Sequence, residues 1–450
     1  MTKSALRTAG RTLGAVAPAR LAAFEILRRV DEGAYASVLL ASQEQQLEPR
    51  DRALCHELVM GVLRFQLWLD RSIEYFAGRS VERLDLAVTL ALRLGLYQLR
   101  FLTRIPHSAA VNESVNLVRR ARLRSAESFV NAVLRRATRE LEYDPAAAIE
   151  DQPAALAVAT SHPRWLIERW ISAFGYQAAE ALAHANNLAA PVAFRVVRAE
   201  ETEDVLQRLR EAGATLKGSE IAANAWRIQG GGELAQEFSR AGKIYFQDEA
   251  SQLMAQIVGA ESGDRVLDVC AAPGSKASQL AAQLQVNVIA GDIHLHRLKT
   301  VRQTVELQGL GNVKTVMLDA RSGLPFPEGT FERVLVDAPC SGTGTLRHNP
   351  EIRWRISAED IIELSNRQRQ ILTNAAGVVK PGGRLVYSTC SLEPDENEAV
   401  VKAFTRSFEN FEPATLSVEP RLLTSANSAR TWPQRDDTDG FFVAAFTRKR

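Results

Sequence analysis

Two of the four cysteines, Cys340 and Cys390, each close an apolar run, in VLVDAPCS and RLVYSTCS, with Asp337 three residues before the first. A thiol becomes a nucleophile only as its thiolate, so a cysteine beside ionisable groups at a strand end is a candidate for covalent chemistry. A second constellation lies in VLDVCAAPGSK (266–276), an apolar run entering a loop of small residues. Ala271, Ala272, Gly274 and Ser275 permit close backbone approach, Cys270 and Pro273 complete the loop, and Lys276 follows. Asp292, 24 residues after Asp268, ends the next apolar run, where an acid typically accepts bonds from ribose hydroxyls, and Asp319 ends the one after and could read a base edge. The loop lacks both the G-x-G-x-x-G and the Walker pattern. Three acids without an arginine clamp fit an unphosphorylated adenosine carrying a cation, and S-adenosylmethionine is such a molecule. Acidic strand ends occur in many α/β folds, and either cysteine taken singly reads as a small buried residue. Two thiols opening on one pocket beside the cofactor loop weigh against that bland reading.

These residues need a sheet to bring them together. From 246 onward DRVLDVCA, NVIAGDI, VKTVMLDA, RVLVDAP and RLVYSTC alternate with helical segments, the signature of a doubly wound parallel sheet whose ligands sit beyond the carboxyl ends of its strands. If the strands carrying Cys340 and Cys390 are neighbours, they run about 5 Å apart and both thiols face one pocket. The closing GFFVAAFTRKR reads as one more strand, antiparallel at the edge. Residues 17–140 instead show apolar stripes at helical spacing with no β-alternating segment, a helical bundle. Residues 146–164, with prolines and alanines, read as a partly helical linker. In 165–245, a Trp-bearing helix, PRWLIERWISAF, and two strands, VAFRVVRA and WRIQGG, around the helix ETEDVLQRLREAG suggest a small α+β module. Residues 1–16 read as a basic disordered arm, with a transit peptide as the alternative.

A chain of 450 residues is too long for one core. The net charge of +2 is uneven, because residues 1–140 hold 22 Lys/Arg against 14 Asp/Glu. Residues 86–139 carry ten arginines against Glu113 and Glu127, either solvated helix faces or a phosphate-binding face, with Arg119, Arg120, Arg135 and Arg136 as candidates. Beside Cys340, Arg347, His348, Arg353 and Trp354 in RHNPEIRW are further candidates to hold RNA, or else form an ordinary surface loop. Without a Cys-x-x-Cys pair, neither a disulfide framework nor a zinc site is suggested, so no metal and a reducing cytoplasm are expected. No apolar run reaches the roughly 18 residues of a membrane helix. Cys55, in RALCHELVMG, is expected in the core, and a monomer is expected because no helix carries a surplus apolar face.

CAAPGSK, DAPCSGTGTLRHNPEIRW and YSTCSLEPDENEAVV resemble the motifs of RNA cytosine-C5 methyltransferases. From about residue 17 to the end, with PHSAAVNESVNLVRR and FVNAVLRR in its helical part, the chain resembles the Sun/Fmu/RsmB group, which methylates one cytosine of bacterial 16S rRNA. Ser275 departs from the second glycine usual there. The resemblance implies a NusB-like RNA-binding domain (17–145), a small connecting domain (165–245) and a Rossmann-like class I methyltransferase domain (246–450). It implies small-subunit rRNA as partner and S-adenosylmethionine as cofactor, held by Cys270, Ala271, Ala272, Pro273, Gly274, Ser275, Lys276, Asp292, Asp319 and Asp337. It makes Cys390 the nucleophile and Cys340 the residue that aids product release. Asp337 would bond the cytosine edge or the cofactor, and Lys276 would support catalysis. The chemistry asks for a depressed nucleophile pKa, since a free thiol near 8.5 is only a few per cent ionised at pH 7.

Three rivals remain at this point. A non-enzymatic RNA-binding or antitermination factor would leave the two-cysteine pocket and the strand-end acids unexplained. A DNA cytosine methyltransferase would make Cys340 the nucleophile and give Cys390 no task. Methylation of an exocyclic amine wants an aromatic residue that DAPCS lacks.

Overall fold

The computed structural model describes residues 16–43, 46–284 and 286–450. The expected basic arm over 1–16 falls almost wholly outside the described residues. By internal contacts the chain forms two compact units: one runs to Asn187 and includes His348–Trp354, the other comprises Leu188–Arg347 and Arg355–Arg450.

The first unit is helical, as the apolar stripes predict. Its helices Pro18–Asp31 and Pro49–Arg64 start on proline, which fits a first turn whose N–H has no partner anyway. The Asp85 carboxylate accepts from the Ala87 N–H and caps the helix Leu86–Phe101. That helix, LAVTLALRLGLYQLRF, is apolar on most of its circumference and buries eleven of its residues, which makes it the central element of the bundle. His107–Arg120 and Glu127–Ala137 bury one face each, and Cys55 lies in this core, where burial pushes its thiol up to about 11. By their contacts the helices Arg164–Phe174 and Tyr176–Ala185 also belong here, so Trp165–Ala185, read from sequence with the α+β module, clusters with the bundle.

The second unit holds two sheets. In the smaller, β1 (Ala193–Val196), β2 (Thr215–Gly218), β3 (Ala225–Gln229) and β4 (Ile244–Phe246) are antiparallel in the order β2-β3-β1-β4. Two amphipathic helices, Thr202–Glu211 and Gly232–Arg240, bury Val205, Leu206, Leu209 and Phe238 with Phe194, Val196 and Ile244. The larger sheet contains β5 (Arg265–Asp268), β6 (Asn287–Asp292), β7 (Val313–Met317), β8 (Phe331–Asp337), β9 (Val379–Thr389), β10 (Phe411–Pro413), β11 (Leu423–Ser425), β12 (Ser428–Arg430) and β13 (Phe442–Arg448). Its order is β11-β12-β13-β9-β8-β5-β6-β7, with β10 paired to β13. The strands β5 to β9 are parallel, and β5, β8 and β9 are rich in buried Val and Leu, as strands covered on both faces must be, while β7 at the end of the row is only half-buried. The chain winds outward through β6 and β7, returns to β8 on the other side of β5, and so creates a switch point between β5 and β8.

One expectation is corrected. The final strand β13 is antiparallel but not at the edge: it lies between β9 and β12, and the short hairpin β11–β12 takes the edge position. Three-residue strands leave too little periodicity to be read from sequence, which is why β10 to β12 went unseen. No helix among the described residues is long and apolar enough to cross a membrane.

Candidate active site

Every parallel strand delivers at least one reactive or acidic group to its carboxyl end. Across the sheet in the order β9, β8, β5, β6, β7 these are Cys390, then Asp337 and Cys340, then Asp268, Asp292 and Asp319. A cavity of about 510 Å³ opens there, lined by Cys270, Ala272, Asp292, Asp319, Asp337, Pro339, Cys340 and Cys390, with Arg297, Arg321 and Arg367 also in its wall.

At one end of this row are the thiols. Because β8 and β9 are parallel neighbours, with Asp337 opposite Ser388, the residues just past both strands meet, and the Sγ atoms of Cys340 and Cys390 lie 3.3 Å apart. The Cys340 thiol is pushed well above its ordinary pKa, first by its hydrogen bond to Cys390 and then by burial, so at neutral pH it holds its proton. Gly344 closes the loop that follows: its N–H donates to the Cys390 carbonyl at 3.0 Å, and a Cβ there would meet the Gly440 oxygen at 1.9 Å.

Between the thiols and the cofactor loop stands Asp337. One oxygen accepts from the Lys276 ammonium at 2.7 Å, the other from the Ser388 hydroxyl at 2.8 Å. Burial works against charge on Lys276, but Asp337, with Asp268 adding to it, more than offsets this and holds the pKa above the ordinary lysine value. The loop that carries Lys276 is shaped by its backbone. The Ala271 N–H donates to the Gly291 carbonyl at 2.7 Å, the Gly274 N–H to the Ala271 carbonyl at 2.7 Å, and the Ala272–Pro273 peptide is cis. Gly274 has φ +106°, where a side chain would strain the backbone, and a Cβ on it would lie 3.2 Å from Val301 Cα, a tight contact. Of this loop, Cys270 and Ala272 line the cavity, while Ala271 is buried beneath it and Ser275 opens the helix Ser275–Leu284. Burial, with Asp268 and Asp337 adding to it, pushes the Cys270 thiol far up, which suits the loop-forming role rather than a reactive one.

Toward the other end, Asp292 is nearly buried and accepts from the His294 N–H at 2.8 Å, with Arg297 at 3.4 Å. Asp319 is held down to about 2 by the Arg321 guanidinium, which bonds it at 2.9 and 2.8 Å. Asp268 is a site residue the sequence reading used only as a ruler for spacing. It is fully buried at the end of β5, and among the described residues neither oxygen has a hydrogen-bond partner. Burial raises its pKa to about 7, with the Asp337 charge adding to the rise. Asp292, Asp319 and Asp337 already face Arg297, Arg321 and Lys276, so the open demand of the row lies at Asp268, and it suits a ligand that brings hydroxyl donors and positive charge, as an adenosyl sulfonium amino acid does.

Sequence reasoning also missed what holds the two thiol loops. The buried Glu396 accepts from the Ser341 N–H at 2.9 Å, from the Ser341 and Ser391 hydroxyls at 2.5 Å each, and from Gln368 at 2.8 Å. Its signal, ENE within a run of polar residues, looks like solvated surface.

Two of the proposed RNA contacts are corrected. Arg347 is 2% exposed and bonds the Ala189 carbonyl at 2.7 Å and Asp437 at 2.9 Å. Arg353 is fully buried in the helical unit, donating to the Ser161 carbonyl and the Asn187 side chain at 3.0 Å each, and burial lowers its pKa to about 9. A guanidinium spent on carbonyls inside the fold cannot also clamp a phosphate. His348 is half-buried, and Trp354 donates to the Leu63 carbonyl at 3.4 Å. Arg119, Arg120 and Arg135 are exposed, Arg119 paired with Glu127 at 2.6 Å and Arg135 bonded to Asn131. Arg136 pairs with Glu140 at 2.9 Å and lies over the Tyr75 ring.

Residues 255–447 match the family described as 16S rRNA methyltransferase RsmB/F, residues 17–139 the NusB family, and residues 162–234 the ferredoxin-like domain of RsmF/B-like methyltransferases. The probable ribosomal RNA small subunit methyltransferase B of Bacillus subtilis is 34% identical over 443 residues, covering 95% of this chain and 98% of that protein. The chain belongs to the ribosomal RNA small subunit methyltransferase B family. The Pseudomonas putida member of that family is 35% identical over 436 residues, covering 94% of this chain and 97% of its own. Among solved structures, PH0851 matches with a TM-score of 0.84 at 26% identity, over 97% of this chain and 99% of that one. A methyltransferase homolog from Pyrococcus horikoshii matches with a TM-score of 0.58 at 26% identity, covering 67% of this chain and all of that one. The expected three-part composition, a NusB-like bundle, a small connecting domain and a methyltransferase domain, thus stands, and S-adenosylmethionine is the cofactor of the family's methyltransferase domain.

Proposed function

We propose that this protein methylates C5 of a cytosine in 16S rRNA through a covalent adduct at Cys390, with Cys340 aiding release of the product. The 3.3 Å contact between the two sulfurs, in one cavity with the acidic cofactor row, carries the reading. Cytosine C5 is too weak a nucleophile to take a methyl group unaided. A Cys390 thiolate adding at C6 turns C5 into an enamine-like carbon able to take the methyl group; a base must then take the C5 proton, whose bonding pair re-forms C5=C6 as the C6–S bond breaks and the Cys390 thiolate leaves. Bound S-adenosylmethionine supplies an electrophilic methyl group on a sulfonium, and Cys270, Ala272, Asp292 and Asp319 line the space that would hold it. A Cys340 that keeps its proton fits the assignment, since a thiol can hydrogen-bond to a neighbouring thiolate and hand a proton to the departing Cys390 sulfur. Lys276 fixes Asp337, which lines the cavity and can accept a further bond there from the cytosine edge. On the helical unit the exposed Arg120 and Arg135 offer phosphate contacts for the same RNA.

The test compares Cys390→Ala and Cys340→Ala on unmodified small-subunit rRNA with labelled S-adenosylmethionine, reading 5-methylcytosine by nucleoside mass spectrometry and adducts on denaturing gels. Cys340→Ala should accumulate a protein–RNA adduct, and Cys390→Ala should be inert and adduct-free. The reverse pattern makes Cys340 the nucleophile. RNA binding without methyl transfer by the unmutated protein makes it a binding factor.

A further inference from the structure

Each catalytic cysteine is followed by a serine, Ser341 and Ser391, and both serines point at one buried carboxylate. Glu396 Oε2 accepts from both hydroxyls at 2.5 Å, while Oε1 takes the Ser341 N–H at 2.9 Å and Gln368 Nε2 at 2.8 Å. Gln368 passes the restraint on, donating also to the carbonyl of Pro339, the residue before Cys340, at 2.9 Å. The Tyr387 hydroxyl, three residues before Cys390, donates to Gln368 at 3.2 Å and to the Glu396 carbonyl at 2.5 Å. The hydroxyls of Ser341 and Ser391 lie 3.0 Å apart on the inner side of the same two loops whose sulfurs meet at 3.3 Å.

We propose that Glu396 is the positioning residue of the thiol pair: by accepting from the residue after each cysteine it fixes the two loops at the spacing that puts Cys340 against Cys390. Glu396 is fully buried and does not line the cavity, so it acts through the loops and not on substrate. A carboxylate suits this place because it is an acceptor on every side and draws four donors from three elements. An amide there would turn one acceptor oxygen into a donor facing groups that already donate. The Glu396 charge is also among those that keep Cys340 protonated, alongside that of Cys390. The role rests on the covalent reading of the site only for its consequence in catalysis, since the spacing itself is measurable on the protein alone.

The experiment uses diamide on the full chain without RNA. Two adjacent thiols give up two protons and two electrons to the azo bond, forming one S–S bond and a hydrazine, so the rate of Cys340–Cys390 disulfide formation, read by peptide mass mapping, reports how often the sulfurs meet. Glu396→Gln should slow this cross-link by about tenfold or more and lower kcat by a similar factor, while the KM for S-adenosylmethionine stays within about threefold. Ser391→Ala, which removes one donor and leaves Glu396 in place, should move both readouts the same way by less, and it serves where the Gln variant does not fold. An unchanged cross-linking rate overturns the positioning role, as does a fall in kcat matched by an equal fall in cofactor affinity. A slowed cross-link in a protein whose Cys390→Ala variant still methylates would sink the covalent reading and leave the positioning role standing.

Discussion

The two ends of the candidate site are held by different means. The loop 270–276 takes its shape from backbone: carbonyl–amide bonds to Gly291 and within the loop, a cis proline, and a left-handed Gly274 packed on Val301. The loops of Cys340 and Cys390 take theirs from side chains, with Glu396, Gln368, Ser341 and Ser391 forming a closed buried network. A backbone-shaped loop tolerates exchange among small residues, and Ser275, which opens the helix Ser275–Leu284, meets that demand. A side-chain network fails when a single donor or acceptor is lost, because the remaining partners are buried and unpaired. Lys276 bridges the two regimes, rising from the cofactor loop to Asp337 at the end of β8.

This difference can be broken from either side. Gly274→Val combines a strained φ with a branched side chain crowded against Val301, and should weaken S-adenosylmethionine binding by about 100-fold in equilibrium dialysis while leaving the diamide cross-link near its normal rate. If the cross-link slows equally, the two ends are not independent. Lys276→Met should affect both, lowering cofactor affinity and cross-linking by about tenfold each, because it strips Asp337 of its buried counter-ion. An effect confined to one readout would remove its bridging role.

Asp268 sharpens the comparison through pH. Its folded pKa of about 7 lies above the ordinary 3.8, so between those values the folded protein binds a proton that the unfolded chain releases. That contribution costs stability increasingly as pH rises from 3.8, and the cost levels off above about 7. Asp268→Asn should therefore raise the Tm of the cofactor-free protein, by an amount that grows from pH 4.5 to pH 7 and then stays constant, on the order of a few degrees. A gain independent of pH would place the benefit elsewhere. The smallest effect is expected on the helical unit, where Arg120→Gln should weaken rRNA binding about two- to threefold and reduce the slope of log affinity against log salt by about one. Affinity lost without a change in that slope would take Arg120 off the phosphate contacts.

Much of this site was legible because strands alternate and end. Apolar runs closed by Asp292, Asp319, Asp337 and the cysteines marked the carboxyl ends of parallel strands, and the pairing of β8 with β9 brings the thiols together as adjacency required. What sequence could not convey was burial of polar side chains. Arg347 and Arg353 look like Arg120 in one dimension, yet their guanidiniums are used up by carbonyls and carboxylates inside the fold. Glu396 sits among acids that carry no period, and its importance comes from where two loops 50 residues apart converge. Asp268 was in view, but its burial without a side-chain hydrogen bond shows only in the fold, because a lack is invisible in a string. The edge position wrongly given to β13 has the same source: the hairpin that displaces it is too short to leave a pattern.

The strand order also bears on how such an enzyme can diversify. With strands about 4.8 Å apart, the row from β9 to β7 spans about 19 Å, with the two thiols at one end and Asp292 and Asp319 at the other. Under the proposed chemistry, a lineage could rewrite the two loops after β8 and β9, and with them the target base, while inheriting the loop 270–276 and the acids of β6 and β7 intact.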